Sequence, residues 1–144
     1  MAQTTAATSS VASKVEVYSG GQWVDVSGST NQVNNPEQAR MSGEGYTFTG
    51  DTAIVKGGKR EPIEVGFRCI YTEEAAEAWE IMRAFFETTG GADIDIRWTV
   101  VTSGNVFTIT DGVCTRLQYP AVDASDANPI ACEFSVRTGA LGVA

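Results

Sequence analysis

Two aspartates separated by one residue, Asp93 and Asp95, are the side chains best spaced for acid–base or cation chemistry. On a β-strand, alternate residues share a face and lie about 7 Å apart along the chain. Such a pair could hold a cation or divide the roles of acid and base. Arg97 on the same face, and the lack of further ligands nearby, favour a solvated sheet face instead. A small enzyme using both aspartates is therefore the weaker hypothesis.

Other reactive arrangements are missing or incomplete. The chain contains no histidine, which excludes Ser–His–Asp and Cys–His pairs and histidine metal ligands. The segment Gly57-Gly58-Lys59-Arg60 lacks the spacing of a phosphate-binding loop and indicates a basic hairpin tip. Asp123 and Asp126 lack the spacing of an EF-hand, so turn chemistry accounts for them better. We predict no catalytic residues, no cofactor and no metal site.

The three cysteines, Cys69, Cys114 and Cys132, form an odd set without a CxxC spacing. Cys69 and Cys132 each fall in phase with apolar residues of an alternating segment. This phase predicts small buried core residues, in preference to a disulfide or a metal site. Three free thiols suit a reducing cytoplasm.

Composition and charge describe a single acidic domain of 144 residues with 42% hydrophobic residues. A chain of this length can bury about 68–70% of its unfolded surface. Eighteen acidic against ten basic residues give a net charge of −8, which disfavours a surface built to grip phosphates. Acidity keeps a subunit soluble, and it also allows DNA to pass a wall without binding to it.

Targeting and membrane signals are not recognisable in the sequence. No apolar stretch approaches the ~20 residues needed to cross a bilayer. The amino terminus lacks a charged region followed by an apolar core. We therefore expect neither membrane insertion nor ordinary secretion.

One amphipathic helix is predicted over residues Glu73 to Thr89. Trp79, Met82 and Phe86 recur at helical spacing and define its buried stripe. Thr72 is placed to cap its amino terminus, and Gly90-Gly91 is placed to end it.

The rest of the chain alternates between apolar and polar residues and predicts strands joined by glycine-containing turns. The predicted strands are Lys14–Tyr18, Trp23–Val26, Gly45–Thr49, Thr52–Lys56, Glu61–Thr72, Ala92–Val101, Val106–Thr110, Val113–Tyr119 and Ile130–Arg137. Turns are predicted at residues 19–22, 57–58 and 111–112. The fold class that follows is mainly β, a β-sandwich or partial barrel with one flanking α-helix.

Three segments are expected to lie outside this framework. Residues 1–13 are Ala/Thr/Ser-rich and predict a flexible amino-terminal arm, residues 14–139 form the domain, and residues 140–144 form a short tail. A long polar stretch, Ser27 to Glu44, predicts a loop. We expect the arm and the loop to become ordered against neighbouring subunits.

A long central run and a polar closing run carry a family resemblance. They read MSGEGYTFTGDTAIVKGGKREPIEVGFRCIYTEEAAEAWEIMRAFFETTGGADIDIRWTV and YPAVDASDANPIACEFSVRTG. The chain resembles the major tail tube proteins of tailed bacteriophages, in order of elements, over about residues 14–139. The resemblance implies hexameric rings with a β-barrel lumen, stacked into a tube that conducts DNA during ejection. It also implies assembly in the host cytoplasm, a place in the virion tail, and contact with other tail proteins. DNA would pass without specific binding.

The resemblance also suggests which residues serve assembly. Alternation places charged side chains opposite the apolar faces of two strands, and in a tube these would face the lumen: Asp93, Asp95, Arg97, Glu133 and Arg137. The polar loop supplies candidate contacts between rings: Asn31, Asn34, Asn35, Pro36 and Arg40. Tyr18 and Trp23 each share a strand face with a charged residue, so they could contact a neighbouring subunit or bind sugar. A small tail accessory protein, or a receptor- or carbohydrate-binding module, is therefore the alternative function.

Overall fold

The computed structural model describes residues 2–144, and Met1 lies outside the described residues. The elements, in chain order, are a short 3₁₀ turn Ser10–Ala12, β1 Lys14–Ser19, β2 Gln22–Asp25, β3 Thr30–Asn34, β4 Arg40–Gly45, β5 Ile54–Arg60, β6 Ile63–Ile70, α1 Ala78–Glu87, β7 Ile94–Thr99, β8 Val106–Leu117, β9 Ala131–Thr138 and β10 Leu141–Val143. The mainly β fold with one α-helix that the sequence predicts is confirmed. Within residues 2–144, no helix is long and apolar enough to cross a membrane.

Eight strands form one bent sheet in the order β2-β1-β7-β8-β9-β6-β3, with β10 also paired to β8. The long strand β8 belongs to both halves of this sheet. Its first part pairs antiparallel with β7, and its second part pairs antiparallel with β9. The sheet therefore folds back on itself at β8, and its two halves enclose the core.

The core is a continuous set of apolar side chains contributed by both halves. Phe67 on β6 stacks on Phe134 of β9, with ring centroids 5.2 Å apart. Phe67 also meets Trp98 of β7 edge-on at 5.9 Å, which joins the two halves. Such pairs add roughly 0.5–1.5 kcal/mol each beyond the area that they bury.

The helix begins at Ala78, so the predicted start at Glu73 is wrong. The Ala78 N–H donates to the hydroxyl oxygen of Ser29, 3.2 Å away and buried. Thr72, the predicted cap, instead hydrogen-bonds the carboxylate of Glu77. The first turn is thus capped by a residue 49 positions away in the sequence, which local spacing could not reveal.

The buried stripe of α1 is confirmed in part. Trp79 and Met82 are buried, as are Ala78 and Ile81, whereas Phe86 is only partly buried. The Trp79 indole donates to the carbonyl of Gln118 at 3.0 Å and so ties the helix to the end of β8. Gly90 and Gly91 follow the helix with positive φ angles of 78° and 75°, as predicted for its end.

The predicted turn between the first two strands is confirmed, whereas the long loop is not. Gly20 and Gly21 have φ angles of 62° and 82°, the conformation that a tight hairpin turn requires. The predicted loop Ser27–Glu44 is wrong because Thr30–Asn34 pairs with β6 and residues from Arg40 onward form β4. Polar side chains suit β3 because it lies at the end of the sheet order and its pairing uses backbone groups.

Two further turn predictions are wrong. Gly57 and Gly58 lie inside β5 and form no turn. The strands predicted at Gly45–Thr49 and Thr52–Lys56 are instead Arg40–Gly45 and Ile54–Arg60, so Lys59 and Arg60 lie at the base of the hairpin. Asp111 and Gly112 lie within β8, which runs unbroken across the predicted turn. Asp111 there has a φ of 52°, and its N–H donates to the carboxylate of Asp95 at 2.9 Å. The residues produce an irregularity in the strand rather than a reversal.

The carboxyl-terminal residues predicted as a tail contain a strand. Leu141, Gly142 and Val143 form β10 and pair with Ile109, Thr108 and Phe107 of β8. Val106 and Ala144 exchange two backbone hydrogen bonds beyond this register. The end of the described chain is thus fixed to the same strand that organises the core.

Replacing Gly112 by alanine should destabilise the subunit by about 1–3 kcal/mol, as overpacking does. A Cβ atom at Gly112 would lie 2.6 Å from a Val136 methyl and 2.7 Å from an Ile109 methyl. Urea unfolding measures the change. The matched control is Gly139→Ala, where a Cβ meets no described atom within 4 Å. Equal stability of the two variants would contradict a tightly packed bend in β8.

Candidate assembly surfaces

The hairpin β4–β5 forms a sheet of its own, and every residue of both strands is exposed. Among residues 2–144, eleven large hydrophobic side chains are exposed, and five of them belong to this hairpin and its tip. They are Met41, Tyr46, Phe48, Ile54 and Val55. Exposed apolar side chains collected on one projection are typical of a protein–protein contact.

The hairpin is fixed at its base. The Gln38 side-chain amide donates to the carbonyl oxygens of Glu61 and Gly139, both at 2.9 Å. Arg40 donates from Nη1 to the carbonyl of Gly58 at 2.8 Å. An isolated two-stranded hairpin is marginally stable in water, so contacts made elsewhere would stabilise it. Sequence reasoning missed this surface, although its density of glycine and aromatic residues was a usable signal.

The candidate inter-ring residues are spread over three elements. Asn31 and Asn34 lie in β3, and Asn34 pairs with Gly66 of β6. Asn35 adopts a φ of 53° directly after the strand, and Pro36 beside it is exposed. Arg40 begins β4. The irregular part of the predicted loop is therefore the short link between β3 and the hairpin.

Arg97 is held by neighbours on its own half of the sheet. Its guanidinium donates two hydrogen bonds to the Glu16 carboxylate, at 3.1 and 3.2 Å. The same guanidinium lies 4.1 Å from the centre of the Trp23 ring, a cation–π distance. Tyr18 meets Trp23 edge-on at 5.4 Å. These residues form one cross-strand cluster over β2, β1 and β7.

The other candidate lumen residues differ in how they are held. Asp93 and Arg137 are exposed, and Asp95 accepts the backbone hydrogen bond from Asp111. Glu133 lies 3.7 Å from Arg116 in an exposed ion pair. Asp95 and Arg97 stand on the β7 half of the sheet, while Glu133 stands on the β9 half. The bend at β8 therefore divides the predicted set between two halves.

The aspartates of the loop between β8 and β9 accept hydrogen bonds from residues two positions further along the chain. Asp123 accepts hydrogen bonds from the Ser125 N–H and hydroxyl at 3.0 and 2.8 Å, which lower the pKa of its carboxyl. Asp126 accepts two from Asn128 at 2.9 Å. The turn chemistry predicted for both residues is confirmed. Over residues 2–144, the structure groups no three Cys, Asp or Glu side chains as metal ligands would be grouped.

All three cysteines are buried as free thiols, as predicted. Burial raises the pKa of Cys69 to about 12, and it also raises the pKa of Cys114 and of Cys132. Near neutral pH these groups stay protonated. Because the thiolate is the nucleophile and the metal ligand, the thiols are suited to packing rather than chemistry.

The fold matches chains of a contractile injection system, an anti-feeding prophage and a gene transfer agent at low sequence identity. The chain is similar to a chain of the PVC sheath–tube complex of an extracellular contractile injection system, with a TM-score of 0.76, 12% identity, and coverage of 97% of this chain and 93% of that one. It is also similar to a chain of the anti-feeding prophage baseplate, with a TM-score of 0.73, 8% identity, and coverage of 99% of this chain and 97% of that one. A third similar chain comes from the tail of an empty gene transfer agent particle, which was refined with C6 symmetry. Its TM-score is 0.68 at 11% identity, with coverage of 91% of this chain and 94% of that one. No protein-family model and no curated protein matches the sequence. At these identities the comparisons show a shared fold.

Proposed function

We propose that this chain is the structural subunit of a tail tube, which assembles into hexameric rings stacked around a channel. The observation that carries the proposal is the fully exposed β4–β5 hairpin with its five large apolar side chains. The fold shared over nearly the whole chain with a sheath–tube complex supports it. Sixfold symmetry in the gene transfer agent tail supports the hexameric ring.

The subunit contributes packing surfaces and no catalysis, cofactor or metal. Its partners are further copies of itself and the other proteins of a particle tail, and it is assembled in the host cytoplasm. The polar link after β3, with Asn35 and Pro36, and residues 2–9 add contacts between rings. Asn35, Pro36 and residues 2–9 are exposed in the single chain.

The channel wall is formed by outward charged residues of the sheet, with carboxylates in excess. Asp95 and Arg97 lie in β7, with Asp93 directly before it, and Glu133 and Arg137 lie in β9. Because the two halves of the sheet enclose the core, one of these two groups faces the channel. A chain with a net charge of −8 repels DNA, which carries one negative charge per ~1.7 Å of its axis. DNA then passes during ejection without being held.

A carbohydrate-binding module is the less favoured function. Sugar rings stack on an open aromatic face, and Trp23 and Tyr18 are the aromatic residues that the sequence offered for this. The Arg97 guanidinium lies over that ring at 4.1 Å, while Tyr18 packs against it edge-on. The cluster is arranged for internal packing, which favours the assembly function.

Replacing residues 42–58 by Gly-Gly-Ser should abolish tube formation and leave the domain folded. The segment removed is exposed throughout, apart from the partly buried Ala53, so we expect the free energy of unfolding to change by less than about 1 kcal/mol. Sedimentation velocity and electron microscopy measure assembly, and circular dichroism measures folding. The control is Val122→Ser, an exposed apolar residue outside the hairpin. Tubes formed by the shortened chain at the wild-type concentration would contradict the role of the hairpin.

Single cysteines placed at Asp93 or Arg137 should both react with a bulky thiol reagent in free subunits, and the one that lines the channel should react at least tenfold more slowly in long tubes. Both positions are exposed in the single chain, and the three native thiols are buried and serve as an internal background. The rate is followed by mass spectrometry before and after tube disassembly. Equal rates in the two states would place these residues outside the channel.

A further inference from the structure

Two glycines of β4, Gly43 and Gly45, have no conformational or packing reason within the described chain to be glycine. Neither has a positive φ. A Cβ atom built at either position meets no atom of the described residues within 4 Å. Gly57 and Gly58 differ, because a Cβ there meets Arg40 and Met41 at 3.2–3.3 Å. Glycine in a strand interior costs roughly 0.5–1 kcal/mol relative to alanine.

Register places these two glycines on one side of the hairpin with an apolar and a basic side chain. Gly43 pairs with Lys56, and Gly45 pairs with Ile54. Directly opposed residues of an antiparallel pair share a face. The resulting surface, here called the glycine face, comprises Gly43, Gly45, Ile54 and Lys56. Met41 follows on the same side of β4, and between Gly43 and Gly45 that side is bare backbone, which another chain can approach closely.

We propose that the glycine face packs against the helix α1 of a second copy of this chain. The inference rests on the proposed tube function and names the partner surface that the hairpin contacts. A contact between copies then explains why positions 43 and 45 are glycine, because a side chain at either position would hold the helix away from the strand. Ile54 is 52% exposed in the single chain and becomes buried in this contact.

Charge complementarity selects the helix as the receiving surface. The hairpin, residues 40–60, carries four basic residues, Arg40, Lys56, Lys59 and Arg60, against Glu44 and Asp51. The segment around α1, residues 73–87, carries five glutamates against Arg83 alone. The chain as a whole is acidic, so the basic hairpin is the exception, and the helix segment offers it the densest run of carboxylates.

The surface of α1 also has the shape that a flat, glycine-lined strand requires. A groove of about 460 Å³ runs beside the helix and is lined in part by small or apolar side chains. These are Ala75, Ile81, Ala84, Phe85 and Ala92. Glu80 and Arg83 also line this groove and are paired through Oε2 of Glu80. Oε1 of Glu80 is left to meet the ammonium group of Lys56. Ile54 would enter the apolar part.

The first experiment replaces both glycines by alanine, as Gly43→Ala/Gly45→Ala. The free subunit should be as stable as wild type or slightly more stable, because alanine suits a strand better than glycine. The critical concentration for tube assembly should rise at least tenfold. Gly142→Ala is the matched control, since Gly142 is an exposed strand glycine where a Cβ atom meets only the Thr108 carbonyl oxygen, in an ordinary contact at 3.8 Å, and it should assemble as wild type. Unchanged assembly by the double variant would overturn the proposal.

The second experiment exchanges charge between the basic hairpin, residues 40–60, and the acidic segment around α1, residues 73–87. Lys56→Glu/Lys59→Glu should lose assembly, and Glu74→Lys/Glu87→Lys should lose it as well. All four positions are exposed. The chain carrying all four changes restores opposite charges between copies, so it should recover assembly, with a salt dependence similar to wild type. Failure of the fourfold variant to recover, with every variant folded by circular dichroism, would exclude the helix as the partner surface.

The two proposals fail in different ways. If the wild-type chain remains monomeric at every concentration and salt tested, the tube function itself is wrong. If wild type forms tubes and the glycine and charge variants form them equally well, the tube function stands and the helix contact is wrong. Electron microscopy of wild type beside the variants separates these outcomes in one series.

Discussion

The fold depends on one strand, β8, which has to pair with two different neighbours along its length. Its first part pairs with β7 and its second part with β9, and the change occurs around Asp111 and Gly112. Close contacts from Val136 and Ile109 leave room for glycine only at position 112. This bend brings the Phe67–Phe134 pair of one half against Trp98 of the other. The bend in β8 therefore determines where the core, the packing surface of α1 and the surface charges lie.

Closure of the core around β8 leaves the β4–β5 hairpin outside. The two sheet halves and α1 already cover the apolar faces, so the side chains of residues 41–55 find no place in the same molecule. The hairpin nevertheless has a defined base, anchored through Gln38. An apolar and basic projection from an acidic domain is typical of a surface that contacts another protein chain.

The surface charges divide into those that hold the subunit and those that remain free. Glu16 and Arg97 satisfy each other and cover Trp23, and Asp95 accepts a backbone N–H in the bend. Asp93 and Arg137 stay exposed. Asp93 and Arg137 are therefore charges on this sheet surface that the fold does not use. Changes of charge there would alter the wall at little cost to folding.

The sequence by itself determined the features that depend on neighbours along the chain: the alternating strands, the buried stripe of the helix, the Gly20-Gly21 turn and the helix end at Gly90-Gly91. The tertiary structure decided what depends on distant partners. Ser29 caps α1, and the polar segment Thr30–Asn34 becomes a strand because β6 offers it backbone groups. Asp111-Gly112 has the composition of a turn, but strands on both sides keep β8 continuous. The exposed surface of the hairpin could not be predicted from the sequence for the same reason. Exposure depends on where the core closes and not on the composition of the segment.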